Sequence, residues 1–366
     1  MSLLFDVIHG DEIVSLDEAL TTQAENCQTL SSPLSHDILV AVRDASRPDG
    51  PLEYLMREHQ SVRGGDLVGL RVLAAAHRIV LSRRAPGLAA FFPTVGGKAP
   101  SDDAGRAALG AEIIAALLAH PDVVEQSLVR VPQTNETGRA QPLRGALARV
   151  SAAHGQPIRL HELAASAGLN LRADVMPWAH VPMSTPVRIV ERSGCDLRPL
   201  DVDRAEDRLT LAAYVWGDDL PRFERLRSAF VLAHRIPARV RAMSAGDYLG
   251  MLAHADQVPG QTLVIWHSAT WFYLERSARV EIRSAIRKLA NRATASTPLV
   301  HVSWEWKREA PDPAMSHALV GRSWPAAGAW APWRPGTAVQ LGCGSAHGMP
   351  MRWTEPKPLP SDPLEC

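Results

Sequence analysis

The sequence predicts an α/β fold, in which an all-helical amino-terminal region precedes a mainly parallel sheet. Three observations carry this reading. All ten Trp fall after residue 177, so the two parts of the chain are built differently. The first 150 residues show helical spacing of apolar side chains and no strand alternation. Beyond residue 150, short apolar runs alternate with helical stretches, the pattern of strands joined by crossover helices. The expected domains are 1–150, a helical lid or substrate domain, and 151–366, which holds the sheet. At 366 residues and 46% hydrophobic, the chain is large enough for two cores.

In the first region, Ser15 and Glu18 make a capping-box signature ahead of a polar helix. Residues 66–84 carry Leu67, Leu70, Leu73, Val80 and Leu81 among alanines, the mark of a largely buried helix. Residues 103–119 repeat the theme with Leu109, Ile113, Ile114, Leu117 and Leu118. Between them Phe91–Gly97 is expected as a loop. In the second region the expected strands are 157–163, 186–191, 239–243, 262–267, 298–304 and 337–341, with helices that include 222–234 and 278–291. Ligands of such sheets bind outside the carboxyl ends of the strands.

Composition narrows the function classes. Residues 1–150 carry 14 basic and 18 acidic side chains, leaving 25 and 21 of the 39 of each for the remainder. With no basic run and zero net charge, nucleic acid is disfavoured as a partner. Cys27, Cys195, Cys343 and Cys366 lack paired spacing, and Cys343 with His347 alone does not make a zinc site, so no metal is expected. No run is long and apolar enough to span a bilayer, and the first residues lack a leader pattern. A cytoplasmic protein with reduced thiols and a small-molecule substrate is expected.

The most informative stretch is Ile158–Leu171. It reads as a strand, a turn of small residues (Ala164, Ala165, Ser166, Ala167, Gly168), and the start of a helix whose free N–H groups would face a ligand. Glu162 ends the strand, where a carboxylate can accept hydrogen bonds from a cationic or hydroxyl-bearing cofactor. Glu191 lies 23 residues after Gly168, near the spacing at which an acid bonds ribose hydroxyls, and Asp196 competes for that role. Asp247 follows the third strand, where it can hold an exocyclic amine of adenine or form a capping box with Ser244. The fourth strand delivers His267 and Ser268, then Trp271 and Tyr273. His267 suits proton transfer near neutral pH, and the aromatic faces suit a sulfonium. Glu305 ends the fifth strand, and His347 lies late in the chain, where it can reach the cleft. The polar cluster Val131–Arg139, with Asn135 at its centre, suits recognition of an amino-acid-like or carboxylate substrate.

An acid at a strand end followed by a small-residue turn resembles the first motif of class I S-adenosylmethionine (SAM) methyltransferases. The chain also resembles, in order and over nearly its whole length, a bacterial family of unknown function. The matching pieces are Phe91–Gly97, Gln133–Glu136 with Arg139, Glu162–Leu171 and Gly194–Asp196 with Pro199 and Asp201. They continue through Val215-Trp216 with Arg222 and Arg225-Leu226, His267-Ser268 and His347-Gly348. The resemblance implies a methyltransferase-like Rossmann core behind a helical region. Ala164 is a departure, since that family and most SAM sites favour Gly there.

The expected activity is therefore a SAM-dependent transfer to a small molecule, either methylation or a self-reaction of SAM such as cyclisation. Glu162, Ala164, Ser166, Gly168 and Asn170 would hold the methionine part, Glu191 or Asp196 the ribose, and Asp247 the adenine. Ser268 and Trp271 complete the cofactor set; His267, Asn135 and Tyr273 form the catalytic set. Two alternatives stand beside it. A serine hydrolase would use Ser166 on a degenerate nucleophile elbow with His347 late in the chain. A non-catalytic binding protein would need no such chemistry. NAD(P) is disfavoured because no Gly-x-Gly-x-x-Gly follows the first strand.

Overall fold

The computed structural model describes residues 12–181, 185–307 and 315–360. The segment read for a leader, residues 1–11, and Cys366 lie outside the described residues. The chain forms two compact units. One comprises Met1–Thr134 and Asp203–Glu224, the other Asn135–Val202 and Arg225–Cys366. Where the sequence places a single boundary at residue 150, the chain changes unit at Asn135 and returns to the first unit for residues 203–224.

The first unit contains β1 (Ile13–Ser15), α1 (Leu16–Thr29), α2 (Pro33–Ala45), α3 (Glu53–Met56), β2 (Ser61–Arg63), α4 (Val68–Leu81), α5 (Pro86–Ala89), α6 (Asp103–Ala119) and α7 (Pro121–Val129). The Ser15 hydroxyl caps α1 by accepting from the Glu18 N–H at 3.2 Å. The apolar stripes of α1, α2, α4 and α6 meet in one core that includes Leu20, Leu34, Ile38, Ile79, Ile113 and Leu117. Burying each such side chain contributes about 1.5–3 kcal/mol relative to exposure. The region is not purely helical, because β1 and β2 pair antiparallel. The expected loop Phe91–Gly97 contains a one-turn 3-10 helix, Pro93–Val95. No single helix among the described residues is long and apolar enough to cross a membrane.

The second unit opens with α8 (Ala140–His154) and β3 (Ile158–Leu163), then β4 (Ile189–Asp196). The chain next supplies α9 (Ala205–Ala213) to the first unit. Helix α10 (Leu220–Arg235) begins in that unit and ends in the second. β5 (Arg239–Ala242), α11 (Ala245–His254), β6 (Thr262–Ser268), α12 (Arg276–Arg292), β7 (Leu299–Trp306), β8 (His317–Trp324), β9 (Val339–Gly344) and β10 (Met351–Pro358) follow.

The fold is α/β with a mixed eight-stranded sheet in the order β10-β9-β8-β7-β6-β3-β4-β5. The five strands β7, β6, β3, β4 and β5 run parallel, and β8, β9 and β10 extend the sheet as an antiparallel meander. β8 and β10 are strands the sequence reading lacks. β10 contains Pro356 and Pro358, which disguise it, but it lies at the sheet edge where proline is tolerated. The second predicted strand, 186–191, is displaced to Ile189–Asp196. Its continuation holds Gly194, a weak strand former. A Cβ there would lie 2.6 Å from the Glu162 carbonyl oxygen, so glycine lets β3 and β4 close.

Successive strand residues point to opposite faces. Register sets Glu162 beside Trp266, and Trp266 beside Val302, on one face. Gly321 shares that face; it packs on Trp330, whose 3-10 helix begins at Gly328 against Ala153 of α8. Leu163, Cys195 and Ile265 point to the other face, into a core formed with α11 and α12 through Leu249, Leu252, Ile282 and Ile286.

Candidate functional site

β3 lies between β4 and β6, so the chain winds away from it in both directions, and its carboxyl end is the switch point of the sheet. Glu162 reaches that end only 3% exposed. The turn beyond it takes left-handed backbone at Ala164 (φ 52°), Ser166 (φ 53°) and Gly168 (φ 64°). Protein groups occupy four of its N–H donors. Ala165 donates to the Cys195 carbonyl at 2.9 Å, Ser166 to the Asp196 carboxylate at 2.8 Å, Gly168 to the Ala165 carbonyl at 2.6 Å, and Leu169 to the Asn135 side-chain oxygen at 3.1 Å. The turn leads into a four-residue 3-10 helix, Leu169–Arg172. The expected helix start is thus a single 3-10 turn. Gly168 serves close packing, since a Cβ there would lie 2.8 Å from a Val240 methyl.

What remains unsatisfied is on side chains. Glu162 Oε2, Ser166 Oγ and Asn170 Oδ1 are buried and lack a well-aligned hydrogen-bond partner among the described residues, while the Trp266 indole N–H faces the Glu162 carboxyl. Buried polar atoms are nearly always satisfied in folded proteins, so three such acceptors between Glu162 and Asn170 point to a missing partner. Burial pushes the Glu162 carboxyl up to about 8, against an ordinary 4.5. Trp266, Arg172 and Arg139 offset this only in part, and Asp196 adds to it. A cation seated there would restore the charged form.

Neighbouring segments brace the turn. Arg172, brought down to about 10 by burial and by Arg192, donates to the Gly168 and Ile236 carbonyls at 2.6 and 2.9 Å. The Asn170 amide donates to the Glu136 carbonyl at 3.1 Å, and Trp178 to the Thr137 carbonyl at 3.0 Å. Arg139 donates to the Ala346 and Ser268 carbonyls at 3.0 and 3.3 Å. Gly138 and Gly348 permit close approach of the 138–139 and 347–348 backbones. Three separated stretches, 135–139, 162–172 and 345–348, thereby converge. Asn135, expected as catalytic, holds the turn through its side-chain oxygen. Arg172 has no periodic signal in the sequence and was missed.

Other predicted residues fall elsewhere. Asp196 is the last residue of β4, beside the turn, and accepts from the Ser166 and Arg198 N–H groups at 2.8 and 2.9 Å. Glu191 is the third residue of β4, away from its carboxyl end, and pairs with Arg159 at 2.6 Å. At the start of α11 the Asp247 N–H donates to the Ser244 hydroxyl at 3.0 Å, and that hydroxyl donates to the Asp247 carboxylate at 2.8 Å, an N-cap without the backbone half of the expected capping box. Tyr273 is 42% exposed, in the one-turn helix Trp271–Tyr273.

His267 points to the face opposite Glu162. It is 1% exposed, with Trp271 stacked on it. Arg322 can only donate, so His301 Nδ1 accepts from it at 3.3 Å. His301 Nε2–H then serves His267 Nε2 at 3.1 Å, which leaves the His267 Nδ1–H for Glu305 at 2.6 Å. Burial first, then Arg322 and His267, hold His301 well below the ordinary imidazole range. The Glu305 carboxylate also accepts the N–H groups of Thr270 and Trp271. His267 is thus one link in a satisfied buried chain from Arg322 to Glu305. The sequence showed Glu305 but not this link, because β8, which carries Arg322, was not read as a strand.

One family profile, described as an uncharacterized protein conserved in bacteria (DUF2332), matches residues 17–180 and 175–353. The chain belongs to this family. Its profile spans both units and all three converging stretches. No curated protein and no solved structure matches the chain.

Proposed function

We propose that this DUF2332 protein is a SAM-dependent transferase acting on a small molecule, with its cofactor at the carboxyl end of β3. The buried carboxyl of Glu162, whose Oε2 lacks a well-aligned donor, carries the reading. The parallel strands support it: counted from β3 as first, their order is 3-2-1-4-5, which agrees with a Rossmann core through five strands. The antiparallel meander then takes the place of a sixth parallel strand.

The donor set fits the methionine end of the cofactor. Glu162 Oε2 would accept from its ammonium, Ser166 Oγ and Asn170 Oδ1 would offer further acceptors, and Arg139 and Arg172 would add positive potential for its carboxylate. Asp196, rather than Glu191, stands where a ribose hydroxyl could be accepted. When bound, the sulfonium supplies an electrophilic carbon to an acceptor nucleophile. The protein's contribution is positioning, which is worth about 7–11 kcal/mol for well-oriented groups. His267 has no part in this version, since it faces the other side of the sheet. Asp247 and Glu191 likewise drop out. The hydrolase alternative ranks lower, because Ser166 Oγ touches no base among the described residues.

Calorimetric titration with SAM and S-adenosylhomocysteine tests the proposal, with NAD and adenosine as controls. Binding of both sulfur compounds by the wild-type chain, weakened at least about tenfold in Glu162→Gln, is expected. Absence of binding, or equal affinity in the variant, refutes the assignment.

A further inference from the structure

We propose that the helical unit carries a separate oxyanion site, for the phosphate or carboxylate group of a small molecule, between Arg78 of α4, Arg130 just beyond α7 and Thr210 of α9. The three residues line a shallow, solvent-open recess together with Ala74, Ser127 and Tyr214. The Thr210 hydroxyl, on a residue 2% exposed, accepts from Arg78 Nη1 at 3.3 Å and from Arg130 Nη1 at 2.8 Å. It donates in turn to the Glu206 carbonyl at 3.0 Å.

Two guanidinium groups therefore converge on one uncharged oxygen. Like charges brought together repel unless a counter-charge sits between them. Glu206 meets Arg78 from the rim, with its side chain 57% exposed. Arg130 has no carboxylate partner among the described residues, and its ion-pairing capacity is unspent. A tetrahedral or planar oxyanion entering the recess would receive paired N–H donors from planar guanidinium forks, the geometry in which arginine binds such groups best. The assignment is independent of the SAM reading, since every residue it uses lies in the other unit.

The test is a thermal-shift and calorimetric titration of the full chain with inorganic phosphate and, separately, with succinate, each against chloride at equal ionic strength. Stabilisation by either anion beyond chloride is expected; phosphate alone assigns a phosphate-bearing ligand, and succinate alone a carboxylate. Arg130→Gln should weaken that binding about tenfold or more, with an unchanged far-UV circular dichroism spectrum. Should that variant fail to fold, Arg130→Lys keeps the charge but loses the fork, and a clear loss of affinity is again expected. No anion effect in the wild type, or undiminished affinity in the folded variant, overturns the proposal.

Discussion

Glu162 should leave a signature on stability without any ligand. Its carboxyl ionises at about 8 in the folded chain, against 4.5 ordinarily. A group whose folded value is raised stabilises fully below its unfolded value and loses that contribution as pH rises through the folded one. The window is therefore about pH 4.5 to 8, with a slope near 1.4 kcal/mol per pH unit from this group alone. Glu162→Gln should gain on the wild type as pH rises from 5 to 9 in urea unfolding; parallel profiles would contradict the burial argument. His267 teaches the opposite lesson. Both residues stand at strand ends in the sequence, yet a one-position difference in pleat sends them to opposite faces.

The turn after β3 invites a paired comparison. Ala164 sits at φ 52°, where a side chain costs about 1–2 kcal/mol and glycine costs little. Glycine loses about 0.4–1 kcal/mol through its freer unfolded chain. The first term is larger, so Ala164→Gly should stabilise by about 0.5–1 kcal/mol. Gly168→Ala should destabilise by about 1–3 kcal/mol, because its φ is 64° and the new methyl meets Val240 and Leu171. Chemical denaturation of both variants checks the pair; the same sign for both would exclude a left-handed turn. This element was half legible. Its small residues and the acid before it are plain in the sequence. The side chains that take up its N–H groups, Asn135 and Asp196, are set by tertiary contacts 34 and 30 residues away in the chain. The long apolar helices and central strands were legible through periodicity, and α6 matches its expected bounds of 103–119. β4 was blurred by Gly194, and β10 by its prolines.

Neither unit is a continuous piece of chain. The helical unit needs residues 203–224: Trp216 is built into its core, and the Asp218 carboxylate accepts from the Ser32 hydroxyl and the Leu34 N–H. A fragment ending at Thr134 should therefore lack a cooperative thermal transition by circular dichroism, although it contains α1 to α7. A sharp transition would show that the returning segment is dispensable. Composition marks a change of construction near the middle of the chain, but not that a later stretch doubles back, because 203–224 is helical and reads like its flanks. The termini of the eight-stranded sheet have a consequence of their own. β5 is four residues long and carries Arg239 and Arg241, while β10 presents Lys357 between two prolines. Charge, brevity and missing amide donors make poor templates for another ribbon. Polymerisation by strand addition is thereby discouraged at both margins, which leaves the protein free to expose strand ends to a solute without seeding fibres.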